Sequence, residues 1–64
     1  MTNFTIDQYI KQQLNYAELM PSDAEKFYDH AFGAVDFALY QKDAELERRW
    51  NEIYKPAFER IIHG

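Results

Sequence analysis

The chain has 64 residues, no cysteine and a formal net charge of −4. It is therefore one domain, too short for a large core, with no disulfide or thiolate-metal staple available. Five Phe, five Tyr and one Trp supply the apolar bulk instead, each ring burying roughly 150–250 Å² when enclosed.

The acidity is uneven. Residues 1–41 hold Lys11 and Lys26 against Asp7, Glu18, Asp23, Glu25, Asp29 and Asp36, whereas residues 42–64 balance five basic with five acidic side chains. Neither half carries the basic field that non-specific binding to nucleic acid or to an anionic membrane needs. No apolar run approaches the ~20 residues of a membrane span, and no apolar leader stands at the N-terminus; the expected location is the cytoplasm.

In chain order, Thr5 and Gln8 have the T-x-x-Q spacing of a capping box. Phe4 and Tyr9 are placed for a hydrophobic staple, and Asp7 lies in the first turn, where the helix dipole favours a negative charge. Ile6, Tyr9, Ile10, Leu14, Ala17 and Met20 share one side of a helix over Ile6–Leu19, while Asp7, Lys11, Asn15 and Glu18 face away. Gln13 projects into that apolar side. It is expected to be a core-edge amide bonded to a neighbouring helix, with contact to a partner as the other reading.

Met20-Pro21-Ser22 ends the first helix, because proline drives the preceding residue out of the helical region. Ser22 and Glu25 have the spacing of a second capping box, S-x-x-E, opening a helix from Asp23 to about Tyr40. Its central stretch, Phe27 to Leu39, alternates small residues (Ala31, Ala34, Ala38) with large ones (Phe27, Tyr28, Val35, Leu39). That pattern suits a spine on which two other helices pack. The connection at Pro21 is short, which makes the first two helices antiparallel neighbours.

The second boundary has weaker signals. Nothing from Ala34 to Lys55 is Gly or Pro, and the apolar phase continues into Leu46, Trp50 and Ile53. The alternative architecture is thus a helical hairpin with one long helix, which would need a second chain to cover it. Against it stands Gln41-Lys42-Asp43, with Asp43 as a usable N-cap. The favoured fold is all-α, a three-helix antiparallel bundle. The third helix carries Leu46, Trp50, Ile53, Tyr54, Ala57, Phe58 and Ile61 on one side, with outer pairs Glu45–Arg49 and Arg48–Glu52. Pro56 is expected to kink it near residues 52–55, giving a bent helix or a new short one and not a loop.

Chemistry-bearing patterns are sparse. His30 has Lys26, Phe27, Gly33 and Ala34 at helical ligand spacing, and His63 has only Glu59, so no metal or cofactor site is expected and both histidines belong at the surface or its boundary. There is no cysteine nucleophile, Ser22 and Thr5 are explained as caps, and no glycine-rich loop exists to cradle a phosphate. Glu25 and Asp29 pair on a polar side where nothing raises a carboxylate pKa. No catalytic residue and no small-molecule substrate is evident. With Asp36 the same carboxylates form an acidic stripe, read as a solvated face, with an acidic mimic of DNA as the other reading. A DNA-associated regulator would use Arg48, Asn51 and Lys55 of the third helix, but Glu52 and Glu59 interrupt that face.

Gly33, Phe37 and Tyr40 stand out. They lie opposite the main apolar arc of the second helix, and an interior glycine costs about 1 kcal/mol relative to alanine. Either another helix of this chain covers them, or they are a landing place for another protein or a second copy. The expected function is a small, non-catalytic protein–protein interaction or regulatory module, with the DNA-associated regulator as the alternative.

Overall fold

The computed structural model describes residues 5–64; the staple between Phe4 and Tyr9 lies outside the described residues. The first helix, α1, spans Ile6–Leu19 and α2 spans Ala24–Tyr40. The third helix is built of α3 (Ala44–Arg49), a π-turn (Trp50–Tyr54) and α4 (Lys55–His63), which follow one another without a break in helical backbone. The rings of Tyr16 and Phe27 meet at the junction of α1 and α2, and those of Tyr28 and Phe58, and of Phe32 and Trp50, meet across α2 and the third helix. The end of α1 thus meets the start of α2, and the start of α2 meets the end of the third helix, which fixes an up-down-up, antiparallel three-helix bundle.

The capping box at Thr5 forms in both directions: the Gln8 amide donates to Thr5 Oγ1 at 3.1 Å, and the Thr5 amide donates to Gln8 Oε1 at 2.9 Å. The box expected at Ser22 does not form. Pro21–Asp23 is a single 3₁₀ turn, the N-cap of α2 is Asp23, and no side chain caps it. The 3₁₀ turn directs the chain into α2 through its own backbone, the Ala24 amide donating to the Pro21 carbonyl. Thr5→Ala should therefore cost about 1 kcal/mol and Ser22→Ala less than about 0.5 kcal/mol. Paired urea titrations check this, and equal costs would refute it.

The break between α2 and α3 rules out the single long helix. Lys42 adopts φ 62°, the left-handed region. Its amide donates to the Leu39 carbonyl at 2.9 Å and the Asp43 amide to the Ala38 carbonyl at 3.1 Å. This is a Schellman ending with lysine at the position usually held by glycine. Asp43 then caps the next helix, accepting from the Leu46 amide at 3.1 Å.

The core is Ile10, Ala17, Ala24, Phe27, Ala31, Val35, Ala38, Leu46, Trp50, Tyr54 and Phe58. Leu46, Trp50, Tyr54 and Phe58 recur every four residues. In a straight α-helix each such step drifts by about 40°, spreading the four over about 120°. The π-turn removes most of that drift. Its backbone bond runs from the Lys55 amide to the Trp50 carbonyl, enclosing one residue more than an α-turn, and it leads into Pro56 in the first turn of α4. The chain bends its ladder here without a loop. Ile53, expected inward, is turned out and is 54% exposed. Leu39 and Met20, also expected inward, are exposed as well. Gln13 is buried as expected, yet among the described residues it makes no hydrogen bond to a neighbouring helix. Arg48 pairs with Glu45 at 3.7 Å rather than with Glu52, while the Glu45–Arg49 pair forms at 3.2 Å.

Candidate functional site

Two features of the bundle carry polar or exposed chemistry. The first was not legible as a site. Asp7, expected to face away from the core, ties α1 to the third helix. Its Oδ1 accepts from the Tyr54 hydroxyl at 2.8 Å, and its carboxylate lies 3.2 Å from Arg49 Nε. Arg49 also reaches Glu45 at 3.2 Å. Burial, then the hydrogen bond to Asp7 and the carboxylate's charge, push the Tyr54 hydroxyl up to about 12. Desolvation alone would lower the Arg49 pKa, but the charge and hydrogen bond of Asp7, joined by Glu45, reverse this and leave it raised. A tyrosine that holds its proton so firmly is a poor base or nucleophile at neutral pH. The cluster reads as a structural tie. Only the residue separation hid it: Asp7 and Tyr54 are 47 positions apart, and no local periodicity reports on such a pair.

The second feature is the outer face of α2. Gly33, Phe37 and Tyr40 lie together there, and no helix among the described residues covers them. Phe37 is 58% exposed and Tyr40 88% exposed. A Cβ placed on Gly33 would meet no atom within 4 Å, so packing within the bundle does not explain a residue that weakens its own helix. The same face carries Lys26, Asp29, His30 and Asp36, all exposed. Lys26 lies 5.9 Å from the centre of the Phe27 ring, and His30 meets that ring edge-on. Beside the face, a shallow recess of about 290 Å³ lies between α1 and α2, lined by Thr5, Ile6, Tyr9 and Ala34.

The remaining candidates are dispersed. His30 and His63 are both exposed, and among the described residues no three acidic or histidine side chains come together as a metal would require. Of the basic and amide residues on the third helix, Arg48 and Asn51 are exposed and Lys55 is half-buried, while Arg49 is drawn inward to Asp7. No helix among the described residues is long and apolar enough to cross a membrane. Comparison with protein-family models, with curated proteins and with solved structures finds no match to this chain.

Proposed function

We propose that this chain is a non-catalytic protein–protein interaction or regulatory module that binds through the outer face of α2. The observation that supports this is the coincidence of two exposed aromatic rings, Phe37 and Tyr40, with a glycine that has no packing role in the bundle. Aromatic side chains clustered on a surface act as binding anchors, and truncating such an anchor typically costs more than about 1 kcal/mol of binding. A glycine one turn before them on the same face lets a facing backbone approach closely.

The test compares tagged wild-type chain with the Phe37→Ala variant in affinity purification from the native host, alongside melting curves of both. Because Phe37 is exposed, the substitution should leave the melt within about 1 kcal/mol of wild type while abolishing retention of the bound protein. Identical retention by both would overturn the reading. A nanomolar, sequence-specific duplex shift would favour the DNA-associated alternative, and such binding would weaken steeply with salt.

A further inference from the structure

The outer face of α2 has a register that points to its occupant. Lys26, His30, Gly33, Phe37 and Tyr40 follow one another at spacings of four, three, four and three, the pattern of a stripe that faces another helix along its length. Gly33 stands at the middle of that stripe. When a copy of α2 is laid antiparallel across this one with its own Gly33 on the two-fold axis, residues equally far before and after the glycine come opposite one another. Lys26 then faces Tyr40 of the second copy, an ammonium over an aromatic ring. His30 faces Asp36, an imidazole N–H donor against a carboxylate. Asp29 faces Phe37, placing a carboxylate at the positive edge of the ring. Every pair occurs twice, as a two-fold interface requires.

The parallel arrangement fails on the same charges, since it would set Lys26 on Lys26, Asp29 on Asp29 and Asp36 on Asp36. The open space at Gly33 supplies the close crossing, and interaxial distances near the lower end of the 8–10 Å range need a small residue at the crossing point.

We infer that α2 pairs with α2 of a second copy of this chain, antiparallel and centred on Gly33. This inference rests on the proposed function above and names the partner for that same face. One helix length gives less contact area than the roughly 800 Å² per partner of a standard stable complex, so the pairing is a reversible one that responds to concentration.

The chain has no cysteine, so one introduced thiol reports geometry without background. Sedimentation equilibrium of the full chain should show a concentration-dependent dimer. Gly33→Cys should oxidise readily to a disulfide-linked dimer, because Cα atoms facing each other across a close dyad fall within the span a disulfide bridges. His30→Cys, displaced along the helix in opposite directions in the two copies, should not. Phe37→Asp should weaken the dimer by about tenfold or more, and Lys26→Glu should weaken it as well, by removing the ammonium from the face of the Tyr40 ring. None of these positions is buried, so the variants keep the monomer fold, as circular dichroism confirms.

A wild-type chain that stays monomeric to about 1 mM overturns the dimer alone, because host capture lost with Phe37→Ala still supports the wider reading. A dimer that crosslinks no better through Gly33→Cys than through His30→Cys, and that ignores Phe37→Asp, overturns the inference. With capture unchanged by Phe37→Ala, it removes the α2 face as a binding surface as well.

Discussion

Phe58→Ala is expected to cost about 3–5 kcal/mol, enough to leave much of the chain unfolded at physiological temperature. Phe58 is fully buried, and its ring meets Tyr28 at 5.6 Å and Trp50 at 6.0 Å, joining α2 to both halves of the third helix. Alanine there removes the packing on both sides, and the two flanking rings are themselves tied to other elements and can only partly close the gap. A domain of this size has roughly 3–10 kcal/mol of total stability at ~0.05–0.15 kcal/mol per residue, so one such loss takes most of it. Urea titration followed by near-ultraviolet circular dichroism would measure the loss. A cost below about 1 kcal/mol, the size expected for exposed Phe37→Ala, would mean that the aromatic cluster is not the centre of the fold.

The second large effect belongs to the tie between α1 and the third helix. Asp7→Ala leaves the buried Tyr54 hydroxyl without its acceptor, which should cost about 1–3 kcal/mol. The same tie makes stability depend on alkaline pH, with a definite sign. The Tyr54 hydroxyl keeps its proton to about 12 in the folded chain and to about 10 when unfolded. Between those values the unfolded chain binds fewer protons than the folded one, so stability falls as pH rises. The contribution is complete below pH ~10 and is lost through pH ~12, up to about 2–3 kcal/mol. Tyr54→Phe should remove this component of the alkaline loss. An ultraviolet phenolate titration of the wild type should show a late component near pH 12 that Tyr54→Phe lacks. Parallel alkaline melting curves for wild type and Tyr54→Phe would contradict the assignment.

Local signals in the sequence were dependable where one interaction decided the outcome. The α1 boundaries, the Thr5 box and the Asp43 cap each follow from a few adjacent residues. The Ser22 box failed because Pro21 favours a tight 3₁₀ turn, which satisfies the start of α2 by backbone alone. Ile53 was misplaced because a fixed helical period assigns it to the core, whereas the π-turn changes the period halfway along the third helix. The tie of Asp7, Arg49 and Tyr54 depends on how two distant helices are juxtaposed, which no periodicity encodes. The outer face of α2 was legible as an anomaly, a glycine and two rings where polar residues belong. That the bundle leaves it uncovered required knowing where the third helix lies.

The π-turn also gives the third helix a spare residue. Losing one of the exposed residues Asn51, Glu52 or Ile53 would close the wide ring into an ordinary α-turn and leave Tyr54 and Phe58 in phase with Leu46 and Trp50. Losing Arg48 instead would turn Trp50 by about 100° relative to Leu46, taking its ring off Tyr28, Phe32 and Phe58 even when the π-turn closes to bring Tyr54 and Phe58 back into phase. A one-codon deletion is therefore tolerable at one short stretch of this helix and ruinous a turn earlier, a contrast that melting curves of the two deletion variants would display directly.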